Sequence, residues 1–180
     1  HWSPSRAAWL VLRTPLEFQR EFTWSLISGL LAASVATGVA VLLAWMARAG
    51  GWRSVLAWFV VALCGAVPGP LLGKALIALF NDDAWCAGSL RHWLYDRTIA
   101  ALVAAQAVRA LPIAMLVLWA ALRAVPTQLL ETSALDGFRP GMALVRLILP
   151  AQRGALALAW MGAFVGALGE LPASLLVAPP

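Results

Sequence analysis

Charge is what this chain has least of. Only 12% of its 180 residues are Asp, Glu, Lys or Arg, where a soluble domain carries about a quarter. Two cysteines, Cys64 and Cys86, and no CxxC pattern leave no disulfide framework and no zinc site. The two histidines, His1 and His92, add no ligand cluster, so no metal is expected. Basic clusters are also missing. The pI of about 10.6 comes from scattered arginines at the edges of apolar runs, the placement of snorkelling and orienting charges. Nucleic acid is therefore not an expected partner. Gly73-Lys74 has Pro68 and Ala75 where a phosphate loop needs glycine and Ser or Thr. Ser89 and His92 form the one nearby nucleophile–base pair, without the context of a nucleophile elbow. No enzyme is expected in this chain.

Apolar length is what the chain has in excess. Hydrophobic residues make up 62% of it, with mean hydropathy +0.84. One small core cannot enclose that much apolar surface, so the remainder needs lipid. Four segments reach the roughly 20 residues that cross a bilayer: 24–46, 55–80, 98–122 and 154–177. All should be helices, because lipid leaves an open chain no other way to satisfy its backbone. Residues 1–22 mix charged and apolar side chains and form a non-membrane or interfacial segment, with a surface helix over 15–22. One transmembrane domain covers 1–180. His1 at the start and an apolar run ending in Pro179-Pro180 suggest a piece of a longer chain.

Alternating helices place connections 47–53 and 123–153 on one side, with six arginines. Residues 1–22 and 81–97 lie on the other, with five arginines and with Asp82, Asp83 and Asp96 in the second connection. The positive-inside rule makes the first side cytoplasmic.

Within 123–153 lies "PTQLLETSALDGFRPGMALVRLILP", which reads as a helix, a turn and a second helix. Thr127 is an expected N-cap, and Glu131 is expected near the helix start, where carboxylates are favoured. Leu129, Leu130, Ala134 and Leu135 give the first helix an apolar side. Gly137 suits the left-handed residue that ends a helix. Pro140 suits the opening of the next one, and Pro150 limits it. A helix lying on lipid would account for the same pattern.

The spacing resembles the "EAA" loop of binding-protein-dependent ABC transporter permeases: EAA, three residues, G, nine residues, I-x-L-P. Here it reads Glu131-Thr132-Ser133, Gly137, then Leu147-Ile148-Leu149-Pro150. Thr132 and Ser133 replace two alanines, and Leu147 replaces isoleucine. "GAVPGPLLGKALIALFN" and "GELPASLLVAPP" look like further segments of that family, most like its ferric-iron branch. The resemblance covers essentially everything after about Thr23, as the second half of a permease whose last helix is missing. It implies an all-α membrane protein of the type I ABC importer kind, with about four transmembrane helices and a cytoplasmic coupling-helix loop. Glu131, Thr132, Ser133, Gly137, Leu147, Leu149 and Pro150 would then couple to a separate ATP-binding subunit. The resemblance also implies ATP in that partner, a periplasmic or extracellular solute-binding protein, a second permease half or subunit, and a bacterial inner membrane. Iron(III), thiamine, a polyamine or an oxyanion all remain open as substrate. A secondary transporter is the rival, since it too uses broken helices and buried charge.

Three further features stand out. Gly65, Gly69 and Gly73, like Gly162 and Gly166, are spaced by four and should let helices approach closely. Pro68 and Pro70 should break or kink the second span, making Pro68 and Gly69 candidate gating residues. Lys74, Arg109 and Glu170 are ionisable at or near membrane depth, which is costly unless they are paired or wet. Glu170 is a candidate pathway residue or a structural hydrogen-bonding group, while Arg109 should satisfy local carbonyls.

Overall fold

The structure is a computed structural model that describes residues 19–81 and 99–169. Residues 1–18, the connection holding Ser89 and His92, and Glu170 with the end of the fourth expected span lie outside the described residues.

Among the described residues the chain is helical throughout, with no strand. Helix α1 is Gln19–Arg48, α2 is Gly51–Ala66, α3 is Gly69–Asn81 and α4 is Ala100–Arg123. Two shorter helices follow, α5 at Thr127–Leu135 and α6 at Pro140–Ala151, before α7 at Arg153–Leu168. Phe22–Arg48 and Ala100–Arg123 are each long and apolar enough to cross a membrane. Counting each bent pair, α2 with α3 and α6 with α7, as one span raises the number to four.

The sequence and the structure part company at the start of α1: residues 19–22 are its first turn rather than part of a separate surface helix. The second span breaks where its prolines were expected to break or kink it: α2 stops at Ala66, and the chain turns by 102° into α3. Pro68 causes the stop, because it has no N–H for the helix ladder and forces its predecessor out of helical geometry. Val67 accordingly sits at φ −73°, ψ 120°. The α1–α2 connection is tighter, with Gly50 and Gly51 both in the left-handed region at φ 72° and 62°.

Helix α4 is the hub and packs on α1, α7, α2 and α3. The Arg48 guanidinium donates to the Val125 carbonyl at 2.7 Å, so α1 and α4 end at the same end of the bundle. Helix α7 runs the opposite way to α1. Its Trp160 Nε1 donates to Ser34 Oγ at 3.1 Å, and Phe164 and Leu168, further along, sit over Gly29.

Most buried apolar side chains are alanine. Ala32, Ala36, Ala40 and Ala44 line α1, Ala105, Ala110 and Ala114 line α4, and Ala159, Ala163 and Ala167 line α7. Leu31, Val35, Val39, Phe59, Leu158 and Val165 point outward. Water would penalise that arrangement, since large apolar side chains are the ones it drives inside. In lipid the solvent is as apolar as leucine, and small residues at the contact let backbones approach. The chain is organised as a membrane protein.

The glycines extend this seam. A Cβ at Gly162 or Gly166 would stand 3.0 or 2.9 Å from the Ile113 side chain. Gly65 faces Pro112 of α4, where a Cβ would meet its ring at 3.7 Å. Gly69 and Gly73 are buried while Lys74, within α3, is exposed. Close packing is thus the role of Gly162 and Gly166, whereas Gly65 makes only an ordinary contact.

Candidate functional site: the elbow between α4 and α7

Helix α5 opens one residue earlier than Thr127 would require as a cap. Pro126 occupies the capping position in extended geometry, φ −61°, ψ 140°, and Thr127 is already helical. The fixed ring of proline selects that geometry, so no side-chain cap forms. Glu131 consequently lies in the second turn, outside the first turn where the helix dipole acts. It is exposed.

The other end of α5 follows the sequence closely. Gly137 has φ 80°, Phe138 N–H donates to Ser133 O at 3.0 Å, and Gly137 N–H donates to Ala134 O at 3.0 Å. This pair of bonds is a Schellman motif, which satisfies carbonyls that a helix end would leave open. Pro140 then takes the first position of α6, where its missing N–H costs nothing.

The face that α5 turns inward matches the expected one only at Leu130. Ser133 is buried at 5% exposure, and Leu130 is half-buried beside it. Ser133 Oγ donates to the Leu130 carbonyl at 2.8 Å, which removes the cost of burying a hydroxyl. Thr132 is exposed, with Oγ1 on the Gln128 and Leu129 carbonyls at 3.0 and 3.1 Å. Leu129 and Leu135 are left 43% and 87% exposed. Of the apolar side expected of α5, Leu130 is packed on the core, while Leu129, Ala134 and Leu135 are left uncovered by the described residues.

Helix α6 carries the second half of the spacing. Leu144–Ile148 form a π turn immediately before Pro150. A widened turn shifts the ladder by one residue, which accommodates a proline that could not donate to it. Ile148 is fully buried, while Leu147 and Pro150 are exposed and Leu149 half-buried. Gln152 then breaks the geometry at φ −99°, ψ 24°, and α6 meets α7 at 84°. Ile148 anchors this elbow, although its neighbours Leu147 and Leu149 were the expected site residues. Burial of one member in three consecutive leucine-like residues has no signature in the sequence.

No family model matches the chain, and no curated protein matches it either. The elbow is therefore defined by its own geometry: an exposed helix, a closed turn and a second helix that meets α7 at a sharp angle. Glu131, Thr132, Ser133 and Gly137 gather on α5 and its turn, and Leu147, Leu149 and Pro150 on α6. Pro68 and Gly69 sit elsewhere, at the α2–α3 break.

That break has a partner the sequence reading placed differently. Arg109 of α4 donates through Nη1 to the Val67 and Gly65 carbonyls at 3.1 and 3.3 Å. These carbonyls are not local: they belong to the interrupted end of α2, where no following helical turn supplies N–H donors to them. A guanidinium there satisfies carbonyls and complements the negative end of a helix. Arg109 and Pro68 therefore form one structural unit.

Aromatic rings mark the end of the bundle that carries the elbow. Trp58 meets Trp119 edge-on at 5.2 Å, and the Arg123 and Arg48 guanidinium groups lie 5.1 and 5.8 Å from the Trp119 and Trp45 ring centres. Tryptophan with arginine is the composition of a membrane–water boundary. Thr37 Oγ1 and Gln106 Oε1 are buried without a hydrogen-bond partner among the described residues.

Proposed function

We propose that the chain is the transmembrane permease subunit of an ATP-driven ABC importer in a bacterial inner membrane. The elbow is its coupling element, and ATP is bound and hydrolysed by a separate subunit. The observation that carries this reading is α5 itself. It is a short helix held at a fixed angle by a Schellman turn at Gly137, with Leu129 and Leu135 uncovered. A helix that must transmit movement needs a rigid hold and an apolar face for a groove in its partner. The resemblance of 131–150 to the EAA loop supports the same reading, and its nearest likeness, the ferric-iron branch, makes iron(III) the first substrate to try. Thiamine, polyamines and oxyanions are the alternatives. A solute-binding protein and a second permease half complete the assembly.

A secondary transporter is favoured by one observation, the α2–α3 break held by Arg109. It leaves the uncovered face of α5 without a purpose.

Gly137→Val tests the coupling reading. Valine is disfavoured at φ 80° by roughly 1–2 kcal/mol, so the turn should open. Uptake driven by ATP should fall to background while membrane abundance stays normal. Undiminished uptake in that variant would refute the coupling role.

A further inference from the structure

An open groove of about 760 Å³ runs along the outside of the bundle between α1, α6 and α7. Thr37, Gly38 and Leu42 form one wall, and Leu156 and Met161 face them, with Arg153 also lining the groove. The lining is almost wholly apolar, so the occupant presents hydrocarbon to most of it. Arg153 is exposed and has no hydrogen bond or ion pair among the described residues. Charge at this end is lopsided: Arg48, Arg53, Arg123, Arg139, Arg146 and Arg153 stand against Glu131 and Asp136 alone among the described residues.

We propose that this groove is a binding site for one anionic phospholipid. Its acyl chain lies against Leu42, Leu156 and Met161, and its phosphate meets the Arg153 guanidinium. The groove opens outward, and the exposed Leu42 and Met161 on its walls suit acyl chains. Basic pockets beside membrane helices take phosphate headgroups. A second copy of the chain fits less well. A two-fold contact would set the same arginines opposite one another, whereas a headgroup supplies the missing sign. Gly38 lets the chain lie close to α1, because a Cβ there meets nothing within 4 Å. This site depends on the membrane setting and is independent of the coupling role.

The test uses the full chain in phosphatidylcholine vesicles doped with phosphatidylglycerol carrying a photoreactive diazirine in one acyl chain. A phosphatidylcholine probe of the same design runs in parallel. Phosphatidylglycerol should label the peptide around Leu156 and Met161 more strongly than phosphatidylcholine does. Gly38→Leu projects a side chain from open space at Gly38 into the groove, so labelling by both probes should drop to background. Arg153→Gln should reduce the preference for the anionic probe about fivefold and leave phosphatidylcholine labelling unchanged. Equal labelling by the two probes in the unaltered protein would overturn the site. So would undiminished labelling of Gly38→Leu, or a chain-to-chain crosslink through Gly38→Cys that excludes both lipids. None of these readouts depends on ATP or uptake, so failure here and failure of the coupling role are separable.

Discussion

Helices α4 and α5 are neighbours in the chain and opposites in construction. Helix α4 buries Ala110, Ala114, Met115, Leu118 and Leu122 and touches four other helices. Helix α5 buries Ser133 and leaves Leu135 uncovered. One is fixed by side-chain packing, the other by backbone hydrogen bonds at its end. Packing tolerates no added volume, while a turn held by backbone bonds tolerates almost any side chain except where φ is positive. The two should therefore fail in different ways.

The largest effect is expected from Ala114→Leu. It drives a branched side chain into the seam of α4, and overpacking of this kind costs about 3 kcal/mol. The unfolding midpoint in detergent should drop sharply, and an unchanged midpoint would mean that the seam is loose. Arg109→Met comes next. It removes the donor to the Gly65 and Val67 carbonyls, a charged hydrogen bond worth roughly 2 kcal/mol. Proteolysis near the α2–α3 break should increase before the rest of the bundle opens. Leu135→Ser should shift stability by no more than about 0.5 kcal/mol, yet weaken binding of the proposed ATPase subunit. Equal destabilisation by Leu135→Ser and Ala114→Leu would erase the contrast between the helices. The smallest perturbation is Leu135→Cys in a background lacking Cys64 and Cys86. Intact cells should protect it from an impermeant thiol reagent, and inside-out vesicles should expose it. Labelling on intact cells would put α5 on the wrong side for an ATPase. Position 135 suits this better than 133, whose side chain is buried.

What could be read in advance follows from which residues act alone. Gly137 and Pro68 impose backbone geometry by themselves, so a left-handed turn and a broken second span were both visible in the sequence. The lengths of the first and third spans were visible because hydropathy sums over many residues. Thr127 misled because capping depends on its neighbour, and Pro126 already held the position. The apolar side assigned to α5 misled for a different reason: an uncovered leucine face looks the same in sequence as a covered one. The alanine seam went unread because alanine carries little hydropathy, and the usual expectation of large residues inside is inverted in lipid. The π turn at Leu144–Ile148 shows only as a proline, Pro150, placed where a ladder must already have shifted.

The alanines have one more consequence. On α1 they recur at 32, 36, 40 and 44, and on α7 at 159, 163 and 167. Sliding either helix by four residues, about 6 Å along its axis, lays alanine on alanine again. A surface that repeats itself carries no address. The alignment of the bundle must be written in the few contacts that occur once: Arg48 on the Val125 carbonyl, Trp160 on Ser34, and Ile113 in the notch of Gly162 and Gly166.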